Sequence, residues 1–215
     1  MTAFLPLHAF RQGLLPASCR ECAWWHTVGT EHLPPEAAAR RKRTWMSQME
    51  NRWGTTGFLV TDPPRVLGAI SFCPSAALSR LRDLPFGALP EESALVFCLW
   101  TEVGAGRLLA RRLIHKALYE LRHRGSSRVF AIAAKHVDRS IQTPGDLANC
   151  RFFSLKLLSS CGFHVAAETN GLILMESELR GLLFLVPQVQ DIFLRVVRHI
   201  PSAPSPAAWI RQGSK

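Results

Sequence analysis

A short apolar run followed by a glycine turn and an amphipathic helix constrains this chain more than any other segment. Ser93 to Thr101 reads SALVFCLWT, too short for a typical helix and apolar almost throughout, the pattern of a strand buried on both faces. Gly104-Ala105-Gly106 follows, and then a helix to about Arg124. In it Leu108, Leu109, Leu113, Ile114, Ala117, Leu118 and Leu121 recur at helical spacing, while Arg111, Arg112, Lys116 and Arg122 take most of the remaining positions. Gly125 ends the helix, and Arg128 to Ala134 is the next strand. A buried strand that leads through a covering helix into another strand implies a mixed sheet with right-handed crossovers.

The flanking segments extend this sheet. A helix is expected from about Pro35 to Arg52, started by Pro34 and Pro35 and stopped by Gly54. Strands Gly57 to Thr61 and Arg65 to Phe72 form a hairpin across Asp62-Pro63-Pro64. Pro74 to Glu92 is a long connection, with a short helix around Ala76 to Arg82, and loops of this length in compact domains usually have a function. Beyond Ala134 an irregular stretch runs through Pro144-Gly145 to a helix from about Asn149 to Cys161, closed by Gly162. Phe163 to Glu168 and Leu172 to Glu176 make a second hairpin about Thr169-Asn170-Gly171. A last helix is expected from Val186 to His199, and the Pro-, Ser- and Ala-rich tail from Pro201 is expected to be mobile. The fold class is therefore α/β, an α+β mixed sheet, with one domain over residues 1–185 and a C-terminal helix and tail over 186–215.

Charge narrows the partners. Lys and Arg number 26 against 16 Asp and Glu, so an anionic ligand, nucleic acid or membrane surface would each be attracted. Six cysteines, Cys19, Cys22, Cys73, Cys98, Cys150 and Cys161, are too scattered for a secreted disulfide framework, which favours a reduced, cytoplasmic chain. Arg11 interrupts the mildly apolar N-terminus, so no signal peptide is read there, and no window is apolar enough to span a membrane. The run Arg40-Arg41-Lys42-Arg43 suits nucleic acid, yet such runs are more often the wet face of a helix, and Trp45, Met46 and Met49 supply its apolar side.

Chemistry concentrates at the glycine turn. Without Cβ atoms, backbone N–H groups can close on an anion, and the helix N-terminus adds the positive end of its dipole. Arg107, Arg111 and Arg112 strengthen this reading, because cations in the first turns of a bare helix are unfavourable. The alternative is a tight strand-to-helix turn with arginines in water. Cys19-x-x-Cys22 with His26 offers three ligands for zinc, but a closed site needs a fourth and no second Cys-x-x-Cys exists, so no metal is expected.

The order of these elements, with Leu99-Trp100-Thr101, then Gly104-Ala105-Gly106-Arg107-Leu108-Leu109, and later Cys161-Gly162-Phe163 before a final hairpin, resembles the GNAT superfamily of acyl-CoA-dependent N-acetyltransferases over roughly Phe58 to Glu178. Cys19-Arg20-Glu21-Cys22-Ala23-Trp24-Trp25 resembles the start of a bacterial GNAT subgroup of largely unassigned substrate. The resemblance implies a central splayed mixed sheet flanked by helices, with acetyl-CoA as acetyl donor in the cleft between two central strands. Its pantetheine would pair with backbone near Leu99, Trp100 and Thr101, and its pyrophosphate would meet N–H groups around Gly104, Ala105, Gly106, Arg107 and Leu108. Cys19, Cys22 and His26 would line the acceptor side, with Trp24 and Trp25 as its walls.

Two positions depart from the family. Thr101 stands where the glycine turn usually has an Arg or Gln three residues earlier, in a shorter loop, and Leu158 stands where a Tyr often protonates the departing thiolate. Another group, a water or no group at all would then supply that proton. The implied reaction is direct attack of a neutral amine on the thioester. Glu102, the acid at the end of the central strand, is the candidate base, and a solvated turn residue is the alternative; Glu91 and Glu92 are weaker substitutes. A strand N–H near Leu99 or Trp100 would hold the oxyanion. Loss of turnover with retained acyl-CoA binding is the main rival, and a basic nucleic-acid-binding protein the lesser one. The acceptor is an unidentified amine, no membrane partner is expected, and Leu182 to Val186 could serve a homodimer contact.

Overall fold

The computed structural model describes residues 3–28, 33–135 and 152–179. Its strands are β1 (Ala3–Pro6), β2 (Gly57–Asp62), β3 (Arg65–Pro74), β4 (Ala94–Thr101), β5 (Arg128–Ala134), β6 (Phe153–Ser154), β7 (His164–Thr169) and β8 (Leu172–Glu178). They form one sheet in the order β1-β2-β3-β4-β5-β8-β7, with β6 paired to β5 off this path. β4–β5 and β5–β6 are parallel and the other pairs antiparallel, so the sheet is mixed, as expected. The helices are α1 (Ala17–Arg20), α2 (Pro35–Trp53), α3 (Gly106–His123) and α4 (Leu155–Ser159).

The two long helices cover opposite faces. A Cβ at Gly68 would lie 2.9 Å from Leu113 Cδ1 of α3, so the missing side chain lets α3 approach β3 closely. The next residue, Ala69, packs with Met46 of α2 and with Leu7 and Leu59. Successive strand residues face opposite ways, which puts α2 and α3 on opposite sides of β3. Of the face of α3 read from sequence, Leu109, Leu113, Ile114, Ala117, Leu118 and Leu121 are buried, whereas Leu108 in the first turn is exposed beside the glycine turn. Gly54 at φ +100 closes α2, its N–H donating to Met49 O at 3.2 Å and Glu50 O at 3.1 Å.

Three expectations are corrected. The helix sought at Ala76 to Arg82 is two 3-10 turns, Ser75–Ala77 and Ser79–Asp83. The helix expected from Asn149 begins at Leu155, because Phe153 and Ser154 are extended against Ala133 and Ala134 of β5. The strand expected to be buried on both faces is so only over its first half; from Cys98 to Thr101 it is half-buried. The domain boundary at 185/186, the helix at 186–199, the tail and the Leu182 to Val186 contact fall outside the described residues.

Candidate active site

Strand β4 is held differently on its two edges. Toward β3 it pairs from Ala94 to Thr101, with one irregularity: Ser71 faces Cys98 and Phe72 faces Val96, which leaves Phe97 as an extra, bulged residue. Toward β5 only Ala94–Val129 and Leu95–Phe130 pair. β5 itself continues on β8 to Ala134–Leu172, so beyond Leu95 and Phe130 the two central strands part. Since β8 occupies one edge of β5 at Ala133 and Ala134, β6 lies on the other edge, the one that faces β4. The gap is thus bounded by Val96–Thr101 on one side and by β5 with β6 on the other. Among the described residues, main-chain N–H and C=O groups along this edge of β4 have no strand neighbour there, and such groups are obligatory hydrogen-bonding partners.

At the mouth the chain turns sharply. Glu102 N–H donates to Leu67 O at 2.8 Å and Ala105 N–H to Glu102 O at 3.0 Å. Gly104 and Gly106 adopt φ +88 and +78, the left-handed region that disfavours any side chain. A Cβ at either would meet nothing within 4 Å, so the turn borders open space. The first N–H groups of α3 have no partner inside the helix. Beside the turn is an open cavity of about 470 Å³ lined by Arg65, Leu67, Glu102, Val103, Gly104, Ala105, Leu108, Leu109 and Arg112.

Glu102 is not a free carboxylate. Its Oε1 accepts from Arg65 Nη2 at 2.6 Å, on the β3 side of the turn, and this hydrogen bond raises the Arg65 pKa above its ordinary value. The guanidinium of Arg112 lies 5.7 Å from the centre of the Phe4 ring. Of the residues singled out in the sequence, Glu102, Gly104, Ala105 and Leu108 gather around this cavity together with Arg112; Leu99, Trp100 and Thr101 lie on the half-free stretch of β4, and Gly106 and Arg107 begin α3. Arg65 escaped the sequence reading, since nothing local in the chain marks a partner 37 residues from Glu102.

Across the gap stand aromatic side chains. Trp24–His26 forms a 3-10 turn, and Trp25 lies edge-to-face with Phe97 at 5.7 Å and with Phe152 at 6.4 Å. Phe97 and Phe152 joined this group only through the bulge and the β6 pairing, neither of which has a sequence signature. His26 packs tilted against Trp45 at 4.3 Å, while Cys19 packs with Leu7, Leu15 and Met46, so Cys19 and His26 sit in different environments. Among the described residues no group of three or more His, Cys, Asp and Glu is arranged to hold a metal ion. Burial pushes the Cys73 and Cys161 thiols up, which keeps them protonated at neutral pH. Leu158 is fully buried in α4 and brings no hydroxyl to the gap. No helix among the described residues is long and apolar enough to cross a membrane.

No protein-family model and no curated protein sequence matches this chain. Solved structures do. An N-acetyltransferase from Staphylococcus aureus Mu50 is 15% identical, with 84% of this chain and 99% of that one aligned at a TM-score of 0.54. A putative acetyltransferase from Salmonella typhimurium, solved with its cofactor acetyl-CoA, is 15% identical over 85% of this chain and 96% of that one, TM-score 0.54. A putative GNAT-family acetyltransferase from Bordetella pertussis is 18% identical over 82% and 95%, TM-score 0.52. At these identities the likeness is one of fold: the chain has the GNAT-type mixed sheet.

Proposed function

We propose that this chain is an N-acetyltransferase that moves an acetyl group from acetyl-CoA to an amine. The observation that carries the reading is the parting of β4 and β5 beyond Leu95 and Phe130, with the glycine turn at the end of the free edge. The residues present fit the donor. The edge of β4 from Leu99 to Thr101 can pair with the amides of pantetheine as a strand would, and the side-chain-free backbone at Gly104 and Gly106 leaves room for a diphosphate. Amides of Gly104, Gly106, Arg107 and Leu108 would hold it, the Ala105 N–H being already given to Glu102 O, with Arg65 and Arg112 contributing positive charge from the adjoining cavity.

The bound donor supplies an activated acyl carbon. A main-chain N–H near Leu99 or Trp100 donates to its carbonyl oxygen as negative charge grows there. Glu102 takes the proton from the amine, using the oxygen that Arg65 leaves uncovered, through a water if the amine lies deep in the gap. Leu158, fully buried in α4, offers no proton, so the thiolate draws its proton from water. Cytoplasmic residence, the subgroup likeness of Cys19 to Trp25, and a transferase domain of residues 1–185 followed by 186–215 belong to the same proposal.

The test is direct. Acetyl-CoA at ~100 times its dissociation constant raises unfolding stability by about 2.7 kcal/mol, and free thiol appears when an acceptor amine is added. Absence of protection overturns the reading. Protection without thiol release across a broad amine panel supports the second reading, a domain that holds acyl-CoA without turning it over, which the buried Leu158 favours.

A further inference from the structure

Rings from four separate segments meet where β4 and β5 separate. Phe97, the bulged residue of β4, contacts Trp25 at 5.7 Å, His26 at 5.9 Å and Trp45 at 5.9 Å between ring centres. Phe152, next to β6, contacts Trp24 at 5.5 Å and Trp25 at 6.4 Å. Trp25 therefore bridges the β4 side of the gap and the β5 side. Trp24, Trp45 and Phe152 each keep part of their surface exposed.

Inside this shell two polar atoms, Trp25 Nε1 and His26 Nδ1, are buried without a hydrogen-bond partner among the described residues, in residues only 4% and 8% exposed. The contrast with Trp45 is informative, because its Nε1 donates to Ala77 O at 3.1 Å. Leaving a buried donor unpaired is unfavourable, and an indole N–H can only donate. The shell is thus matched to a ligand atom that accepts a hydrogen bond beside a flat, apolar surface.

The turn that carries these rings is held from behind by cations. Arg80 donates from Nε to Trp24 O at 3.0 Å and from Nη2 to Thr27 Oγ1 at 3.0 Å, with its guanidinium 4.8 Å from the Trp24 ring centre. Lys42 Nζ donates to Cys19 O at 2.7 Å. Burial, then Lys42 and Arg41, push the His26 imidazole down to about 3, so it is neutral. An alkylammonium entering here would meet the same desolvation and the same positive charges. An amine whose lone pair is delocalised into a ring enters uncharged.

Resting on the acetyl-transfer reading above, we propose that the acceptor is an arylamine: its ring packs within the shell, a carbonyl, carboxylate or ring nitrogen accepts from Trp25 Nε1, and its amine faces the parted strands. The amine nitrogen forms the new C–N bond as the C–S bond of acetyl-CoA breaks. The bonding pair leaves with sulfur, and the proton lost by nitrogen is matched by the one the thiolate gains, giving an aryl amide and free thiol.

Two probes with the same substituents decide it: 4-aminobenzoate and 4-aminocyclohexanecarboxylate, which differ in flatness and in amine basicity. With acetyl-CoA present and thiol release as readout, kcat/KM for the arylamine is expected to be higher by about 100-fold. Trp25→Phe keeps a ring and removes the N–H, and should raise KM for 4-aminobenzoate about tenfold with kcat nearly unchanged and protection by acetyl-CoA intact. Equal kcat/KM for the two probes, or an unchanged KM in Trp25→Phe, overturns the proposal. If Trp25→Phe does not fold, the two probes on the wild-type chain decide alone. If acetyl-CoA protects but neither probe is acetylated, the arylamine assignment falls and the donor reading stands; if acetyl-CoA does not protect, the transferase reading falls and takes this one with it.

Discussion

The two halves of β4 show how one strand serves structure and ligand at once. Ala94 and Leu95 are paired on both edges and fully buried, with Leu95 packed among Trp25, Met49, Phe130 and Ile132. From Val96 to Thr101 the same strand pairs on one edge only, and its last four residues are half-buried. The first half secures the sheet through packing and two ladders. The second keeps a row of main-chain donors and acceptors available, and the cohesion given up there is carried by β3 and by α3 above it. Changes in the first half should therefore act on stability, and changes around the second on ligand and turnover.

The largest effect is expected at the closed end. Leu95→Ala removes a fully buried side chain and should destabilise the fold by about 2–5 kcal/mol, read from urea denaturation, while the acetyl-CoA dissociation constant of the folded fraction changes less than twofold. A large loss of donor affinity with little loss of stability would break the distinction between the halves. Next comes Glu102→Gln at the open end, expected to lower kcat by about 100-fold with acetyl-CoA protection retained. Unchanged turnover removes Glu102 as the proton acceptor and leaves it as the partner of Arg65.

Acid should weaken the roof of the open end. His26 is neutral in the fold with a pKa of about 3 against 6.5 unperturbed, so the unfolded chain binds a proton that the folded chain refuses. This contribution is fully present above about pH 6.5 and is lost as pH falls toward 3, at up to about 1.4 kcal/mol per pH unit. His115, shifted the same way by burial, adds to the slope. Glu176, held below its ordinary value by its hydrogen bond from Arg128, contributes only below about 4.5, so the window from 6.5 to 4.5 belongs to the histidines. Denaturation at pH 7 and pH 5 should show the loss, and His26→Phe should flatten it; an unchanged slope removes His26 as the cause. The smallest effect is expected for Arg112→Ala, a loss of about 1 kcal/mol in acetyl-CoA affinity that fades as salt is raised.

Elements set by local pattern were legible in the sequence. The face of α3, the limits of α2 and both hairpins depend on periodicity, proline and glycine, which act within a few residues. β1 was not, because Ala3-Phe4-Leu5-Pro6 is too short to show alternation and becomes a strand only by pairing with Phe58 to Thr61. The 3-10 turns at Ser75–Ala77 and Ser79–Asp83 replaced a helix, and in them Arg80 braces Trp24 and Thr27 from more than fifty residues away. At the candidate site the glycine turn was legible, as was the aromatic segment at Trp24 and Trp25. The Arg65–Glu102 pair, the bulge at Phe97 and the arrival of Phe152 were not, since each depends on which segments the sheet brings side by side.

By itself the sequence determined that a buried strand runs into a glycine turn and an amphipathic helix, because burial and backbone freedom are properties of residue type and spacing. Only the tertiary structure decided that this strand leaves its parallel neighbour after two residue pairs, and that an indole and an imidazole beside the opening are buried with an N atom unpaired among the described residues. Strand pairing and burial of a polar atom are relations between distant segments, and no single stretch of chain encodes both partners.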